Sequence, residues 1–230
     1  MSWGKVFNTI NSQLDKAKDF RYFAMLASFL FFLDFTLINL KGYSLSQVSY
    51  ETIKNHLEIG DVLMFLALYA FFVSFAVPFS KYILWFVSRI IPFKILYFFH
   101  HDDLDGVNPN DYFYLHQLKS FAVKNNNSVA YKYYNDLLDD INKDDQLNYF
   151  CLAFLIATSL DILAYFENKD ALFSVLIPFF DESNNTFGRA AITLILYTLY
   201  VFCFYLGVVR GCGFSLHKND KLYCKNHGFN

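Results

Sequence analysis

The sequence predicts an all-α polytopic membrane protein with four transmembrane helices and both termini in the cytoplasm. Four apolar runs of 18 to 21 residues predict the helices: Phe20–Leu40, Val62–Phe79, Tyr149–Phe166 and Ala190–Val209. At about 1.5 Å per helical residue, each run is long enough to cross roughly 30 Å of hydrocarbon. The basic residues that flank the runs alternate in number from side to side, and this alternation predicts the orientation.

Positive charge is concentrated in the two tails and in the second loop. These three segments carry 15 Lys and Arg residues, whereas the first and third loops together carry four. An excess of Lys and Arg marks the cytoplasmic side of a membrane protein. The chain therefore divides into an N-terminal segment (1–19), two spans with their flank (20–99), a cytoplasmic insertion (100–147), two further spans (148–209) and a cytoplasmic tail (210–230).

Residues 1–19 predict an amphipathic helix rather than a signal peptide, since no small-residue cleavage site follows the first apolar run. One helical face is apolar and consists of Trp3, Val6, Phe7, Ile10 and Leu14. Such a helix either lies on the inner leaflet or packs on the cytoplasmic part of the protein.

Residues 81–99 are also apolar, so a fifth span has to be considered. It would place Arg89 and Lys94 in hydrocarbon, which costs about 2.5–3.5 kcal/mol for each residue. A stripe that includes Lys81, Trp85 and Arg89 instead suits a helix in the inner interface. We expect the interfacial helix.

The insertion, 100–147, predicts two short helices. The first begins with Asn110 or Asp111 as its N-cap, and the second begins near Ser128 after a turn at Asn125–Asn127. Two helices of this size cannot bury a core alone, so they must pack on the membrane domain, on another copy of the chain or on a partner. We expect a homo-oligomer and a cytosolic protein partner. The predicted partner-docking residues are Tyr112, Leu115, Leu118, Tyr133, Leu137 and Ile141.

The third loop holds ten apolar residues, Ala171–Phe180, bounded by acidic residues. Ten residues are too few to cross the bilayer. We expect an interfacial helix, with a re-entrant segment as the alternative.

Two acidic residues lie inside predicted spans at similar depth. Asp34 falls in the first span and Asp161 in the third, and Arg189, at the start of the fourth, is the predicted cationic partner. A carboxyl group within the bilayer is costly unless it is protonated, paired or hydrated, so such residues are candidates for function. They can equally be structural groups that fix helix packing.

The other polar patterns are weaker indicators of function than the two acids. Cys212, His217, Cys224 and His227 are residue types that bind zinc, but their spacing matches no zinc motif, and we predict no cofactor. No catalytic motif occurs, which favours a non-enzymatic protein. Nine glycines and the lack of GxxxG inside a span predict helix packing through bulky side chains.

The four spans, the N-in and C-in orientation and the Phe, Tyr, Asn and Lys composition resemble small bacterial membrane proteins of conflict loci. The membrane subunit of Kiwa-type anti-phage defence is one such protein, and immunity proteins of pore-forming colicins and type VI secretion toxins are others. The resemblance covers the architecture and implies a bacterial inner membrane with a role in defence or self-protection.

Three functions follow as hypotheses. The first is a defence subunit that oligomerises, senses membrane disturbance and docks a cytosolic effector on the insertion. The second is an immunity protein against a pore-forming toxin, and the third is a small cation channel lined by Asp34 and Asp161. The insertion favours the first, because apolar helix faces that lie outside the bilayer usually mark interaction sites. The lipid bilayer is the common partner, and no direct nucleic-acid binding is expected.

Overall fold

A computed structural model describes residues 19–49, 58–90, 112–167, 171–176, 187–212 and 221–223. Three helices in this part of the chain are long and apolar enough to cross a membrane: Phe20–Lys41 (α1), Ile59–Ile90 (α2) and Ser128–Glu167 (α4). These helices confirm the helical class and are, by length and composition, three candidate membrane spans. A fourth apolar helix, Leu194–Arg210, is shorter, so the fourth span and the orientation stay predictions.

Helix α1 begins and ends with defined caps. The Asp19 side chain accepts a hydrogen bond from the backbone N–H of Arg21 at 3.1 Å, and the guanidinium of Arg21 lowers the pKa of the Asp19 carboxyl. Gly42 ends the helix in the left-handed region at φ +77°. Glycine adopts this conformation without strain. The observed bounds match the predicted apolar run almost to the residue.

Helix α2 is longer than the predicted second span. It runs without a break through Phe79 to Ile90 and includes a π-helical segment, Phe72–Ala76. The hydroxyl of Tyr149 donates a hydrogen bond to the Val73 carbonyl inside this segment. A side-chain donor at a π-bulge is a common arrangement, since the bulge disturbs the backbone ladder. The described part of the predicted interfacial helix thus continues α2, and residues 91–99 lie outside the described residues.

The insertion contains the helix Leu115–Lys124 (α3), which leads into α4. Asn126 lies at φ +48°, and the N–H groups of Asn126 and Asn127 bond to the carbonyls of Val123 and Ala122. This is the Schellman arrangement, in which a left-handed residue ends a helix. Asn127 then caps α4 by accepting from the N–H of Val129 at 3.1 Å. The predicted turn at Asn125–Asn127 is confirmed.

Helix α4 joins two predicted elements in one rod of 40 residues. The second helix of the insertion and the third apolar run, Tyr149–Phe166, follow each other without interruption. No Gly or Pro occurs between Ser128 and Glu167 to break the helix, so the polar first half extends directly from the apolar second half.

Residues Tyr112–Tyr114 correct the predicted start of the insertion's first helix. They form a strand that pairs antiparallel with Lys221–Tyr223, with Phe113 opposite Leu222. Aromatic residues favour strands, and three in succession here outweigh the helical pattern that follows them. Tyr112 therefore belongs to this strand and not to a helix face. Asn110 and Asp111, the predicted caps, lie outside the described residues.

Two further helices complete the described chain. Leu172–Leu176 (α5) is a helix of five residues within the third loop. Phe187–Phe204 (α6) continues as a π-helical segment, Tyr205–Arg210. Ala171, just before α5, is fully buried. The start of the predicted apolar segment Ala171–Phe180 is therefore docked on the helical bundle, and residues 177–180 lie outside the described residues.

Helices α1 and α4 run parallel. Near the start of α1, Arg21 Nη1 donates to Gln146 Oε1 at 3.2 Å. Near the ends of both helices, Asp34 and Asp161 accept hydrogen bonds from the adjacent N–H groups of Leu172 and Phe173, which brings the two carboxyl groups together. We call this latter end the aspartate end. We call the opposite end, where α3 and the first half of α4 extend beyond α1, the hairpin end.

Helices α2 and α6 run in the opposite direction to α1 and α4. Lys41 Nζ pairs with Asp61 Oδ2 at 2.8 Å, which joins the end of α1 to the start of α2. Arg210 Nη2 pairs with Asp144 Oδ2 at 2.7 Å, which joins the end of the α6 segment to α4. Consecutive long helices thus alternate in direction, as four successive crossings of a membrane require.

Helix α4 is the centre of the bundle. Half of the residues in the apolar stretch of α4 are buried, against 28% in that of α1 and 17% in that of α2. Two groups of buried side chains lie along it, one against α1 and α6 and the other against α2. Lipid tails are as apolar as these side chains, so close packing and interhelical hydrogen bonds hold such a bundle together. Tyr69 provides one bond, since its hydroxyl lies 3.0 Å from Ser28 Oγ.

Helix α6 packs against the backbone of α4 at Gly207. The prediction of packing through bulky side chains is therefore wrong at this crossing. A Cβ added to Gly207 would lie 2.7 Å from the backbone N of Leu152. Cys203 and Gly211, one turn before and after, lie on the same face, and Cys203 is fully buried. Small residues at four-residue spacing allow two helix backbones to approach closely.

Candidate functional site: a buried carboxyl pair

Asp34 occupies the centre of the aspartate end. Its carboxyl is fully buried and accepts three hydrogen bonds. Oδ1 accepts from Ser44 Oγ at 2.8 Å and from the Leu45 N–H at 2.5 Å. Oδ2 accepts from the Leu172 N–H at 2.6 Å. Both carboxyl oxygens of Asp34 are therefore satisfied by donors from the first and third loops.

Asp161 lies beside Asp34 and is equally buried. Its Oδ2 accepts from the Phe173 N–H at 2.9 Å. Its Oδ1 is buried and has no hydrogen-bond partner among the described residues. An orphan polar atom at such a site needs an explanation, because burying it without a bond costs about 1–3 kcal/mol.

The local sequence explains why these donors point at the pair. Ser44 caps a short 3₁₀ helix, Leu45–Gln47, and the first N–H groups of any helix have no partner inside it. The N–H groups of Leu172 and Phe173 are likewise the first two of α5. Asp34 and Asp161 supply the acceptors that these two helix starts lack.

The carboxyl pair thus ties two loops to two long helices. Asp34 joins α1 to the 3₁₀ helix and to α5, whereas Asp161 joins α4 to α5. The two residues that the sequence singled out lie side by side, since they accept from the adjacent N–H groups of Leu172 and Phe173. The prediction had placed them at a similar depth but had not paired them. This geometry favours the structural interpretation of the pair over an open, water-facing site.

No described ion pair involves Asp34 or Asp161. The nearest described cation on α1, Lys41, is engaged by Asp61. Arg189 lies in α6, but its side chain is outside the described part of the structure, so its predicted pairing stays a prediction.

A lateral groove of about 400 Å³ opens between α1, α4 and α6. Its lining includes the aromatic residues Phe31, Phe154, Phe173 and Tyr200. The backbone N–H of the same Phe173 bonds to Asp161, so the groove lies next to the carboxyl pair. Its size and its apolar, aromatic lining are typical of sites for apolar ligands.

The predicted docking residues have different environments in the hairpin formed by α3 and α4. Leu118 is only 5% exposed, so it is not available to a partner. This burial corrects the prediction that Leu118 is a docking residue. It lies within the helical pair because α3 packs on α4, where Lys119 also stacks over the Tyr134 ring. Leu115, Leu137 and Ile141 are half-buried, and Tyr133 is exposed.

The predicted metal ligands are described only at Cys212. This thiol is buried at the end of α6 and donates to the Gly207 carbonyl at 3.3 Å. Burial raises its pKa to about 11, which disfavours the thiolate that zinc binds. His217, Cys224 and His227 lie outside the described residues. In the described part of the chain, no three His, Cys, Asp or Glu side chains converge on one point.

Ser44 and Gly207 are the residues of this architecture that sequence reasoning missed. A signal for Ser44 existed, since Ser44-x-x-Gln47 is a capping-box pattern. The signal for Gly207 was the spacing Cys203, Gly207, Gly211, which crosses the predicted end of the fourth span.

Comparison with known proteins adds no relative: no family model, no curated protein and no solved structure matches this chain.

Proposed function

We propose that this chain is a non-enzymatic subunit of a bacterial inner membrane that oligomerises, responds to membrane disturbance and docks a cytosolic effector in an anti-phage defence system. In this proposal it crosses the membrane four times with both termini in the cytoplasm. The observation that carries the proposal is the helical hairpin that extends from the bundle at the end opposite the carboxyl pair.

The length and polarity of α4 support a hairpin outside the bilayer. Residues 128–146 precede its apolar part and extend about 30 Å at 1.5 Å per residue. This part carries five acidic residues: Asp136, Asp139, Asp140, Asp144 and Asp145. Charges at this density are too costly to place in hydrocarbon, so the first half of α4 belongs in water.

The hairpin exposes apolar side chains where it meets water. Val129 is 77% exposed and Val123 is 64% exposed, and Tyr131 and Tyr133 are also exposed. These four residues lie near the α3–α4 turn in the sequence, and Val129 and Tyr133 share one face of α4 at i, i+4 spacing. An apolar patch on a water-facing element usually marks a contact with another protein, which supports docking of a partner there.

Charge supports a cytoplasmic position for the hairpin end. Arg21 and Arg210 both lie there and bind partners on α4. Basic residues near the ends of spans favour the cytoplasmic side. The aspartate end would then face the outside of the inner membrane.

The outer face of α2 is the candidate surface for oligomerisation. Phe71, Phe75 and Phe79 are more than half exposed and stack on one another with ring centroids 5.2 and 6.1 Å apart. In a bilayer this aromatic ridge contacts either lipid or a second copy of the chain.

A pull-down from native membranes in mild detergent tests the docking proposal. We expect a cytosolic protein to co-purify with the wild-type chain and to be lost from Val129→Glu, because a charge at this exposed apolar position opposes burial. The control is Asn135→Glu, which adds the same charge at an exposed position of α4 and should retain the partner. Equal recovery of every cytosolic protein with Val129→Glu and wild type would contradict docking at this patch.

The lateral groove favours a second candidate, an immunity protein that binds a pore-forming toxin inside the bilayer. A groove open between spans can receive an apolar segment from the membrane. The test is protection of cells against such toxins by the wild-type chain and by Ala27→Phe, which would fill the groove. Protection that Ala27→Phe abolishes would favour immunity over effector docking.

The channel hypothesis loses the residues on which it relied. Asp34 and Asp161 are fully buried behind the 3₁₀ helix and α5, whereas acids that select cations line a water-filled path. We do not propose a channel.

A further inference from the structure

The hydrogen bonds at the aspartate end are divided unequally between the two acids. Asp34 accepts three bonds that use both oxygens, as an ionised carboxylate does, since it has only acceptors. Asp161 accepts one bond through Oδ2 and leaves Oδ1 without a partner among the described residues. A protonated carboxyl has a hydroxyl group to donate, and Oδ1 of Asp161 is the atom free to carry it.

The described groups around the pair provide no charge that would compensate two carboxylates. From α1 and α4 the described groups are the two acids themselves, with Tyr165 one turn further along α4. From the 3₁₀ helix and α5 the groups are a hydroxyl and backbone N–H groups, which are neutral. Lys41 is bound to Asp61. Two like charges in contact in a buried site cannot both persist, because neither solvent nor a described cation compensates them.

We propose that Asp34 and Asp161 form a proton-binding site that holds one proton on Asp161 Oδ1, and that this proton keeps the 3₁₀ helix and α5 attached to the bundle. Release of the proton to water leaves two adjacent carboxylates. Their repulsion is relieved when α5 and the 3₁₀ helix move away and let water reach the pair. This inference concerns the chain alone and does not depend on the proposed defence function.

The direction of the pH dependence follows from linkage. The closed form keeps a proton that the open, hydrated form loses at the usual carboxyl pKa of about 4. Above that pH, opening releases one proton, so raising the pH favours the open form. The attachment of α5 is therefore strongest at low pH and weakens as the pH rises, until Asp161 has also lost its proton in the closed form.

Amide hydrogen exchange of the chain in lipid nanodiscs tests the proposal. We expect the protection factors of the Leu172 and Phe173 amides, corrected for intrinsic exchange, to fall by about tenfold per pH unit as the pH rises above about 5. Asp161→Asn resembles the protonated acid and should keep protection high with no dependence on pH. Infrared spectra should show a protonated carboxyl at about neutral pH in the wild type and lose it in Asp161→Asn.

Three outcomes would overturn the proposal. One is a wild-type infrared spectrum without a protonated carboxyl. Another is a pH dependence that is the same in Asp161→Asn and wild type. The third is protection that requires Na⁺ at fixed pH, which would assign a metal cation to the site. Asp140→Asn, a change at an exposed acid of α4, is the control and should behave as wild type throughout.

Discussion

At the scale of single residues, the two acids inside the spans act as helix caps for elements they do not belong to. Asp34 accepts the first N–H of both the 3₁₀ helix and α5, and Asp161 accepts the second N–H of α5. A buried acceptor for otherwise orphan donors gives these acids a structural reason to lie in an apolar helix.

Replacing Asp34 should be costly. Asp34→Ala leaves the N–H groups of Leu45 and Leu172 without an acceptor, and each buried orphan costs about 1–3 kcal/mol. The Ser44 hydroxyl can turn to Ser46 Oγ, which lies 3.0 Å away. We expect a loss of at least about 2 kcal/mol in the free energy of unfolding, measured by denaturant titration in detergent micelles. Asp140→Ala makes the same chemical change at an exposed position and should be almost neutral. A loss for Asp34→Ala no larger than for Asp140→Ala would contradict the capping role.

The importance of Asp34 and Asp161 was predictable from the sequence, but their ligands were not. The cost of a carboxyl in hydrocarbon identified both residues, and their positions in the spans predicted a similar depth but not that they would lie side by side. Most of their partners are backbone N–H groups from the first and third loops, at Leu45, Leu172 and Phe173. Backbone donors leave no signature in residue type, so no sequence pattern could have assigned them.

At the scale of elements, the contact between α4 and α6 depends on Gly207. Its hydrogen faces the α4 backbone at Cys151 and Leu152, where a Cβ would lie within 3.0 Å of several backbone atoms. The same segment carries the buried thiol of Cys212, which bonds to the Gly207 carbonyl. The hairpin-end half of α6 is therefore held in place by close backbone approach.

Gly207→Ala should separate α6 from α4. The added methyl group meets backbone, which cannot move aside, and overpacking of this kind costs about 1–3 kcal/mol. The thermal midpoint in detergent should fall by several degrees relative to wild type. Gly60→Ala is the control, since a Cβ added at Gly60 would have nothing within 4 Å, and it should match or slightly exceed the wild-type midpoint. A Gly207→Ala midpoint equal to wild type would contradict close packing here.

The helices themselves were predictable where the hydrophobic pattern is continuous. Helix α1 matches its apolar run because Asp19 and Gly42 mark both ends. The lengths of α2 and α4 were harder to predict, because polarity changes along each helix while the backbone continues. Tyr112–Tyr114 was assigned to a helix because its partner strand, Lys221–Tyr223, lies in the C-terminal tail, far away in the sequence. A local hydrophobic pattern cannot reveal pairing over such a distance.

At the scale of the whole molecule, α4 connects the two ends of the protein. Its apolar half carries Asp161 at the aspartate end, and its polar half forms the hairpin at the other end. A rigid helix of 40 residues joins the proton-binding site to the proposed docking patch. The charge pattern predicted opposite sides of the membrane for these two ends, and the alternating helix directions are consistent with that prediction.

Labelling of single cysteines in intact bacterial cells tests this account most directly. All native cysteines are replaced, and one cysteine is introduced at Gly60, which lies open near the aspartate end, or at Asn135, which is exposed on the hairpin. A membrane-impermeant maleimide should label Gly60→Cys in intact cells and Asn135→Cys only after the inner membrane is permeabilised. Labelling of Asn135→Cys in intact cells, with Gly60→Cys protected until permeabilisation, would contradict the orientation, and equal labelling of both would contradict a hairpin and a carboxyl pair on opposite sides of a membrane.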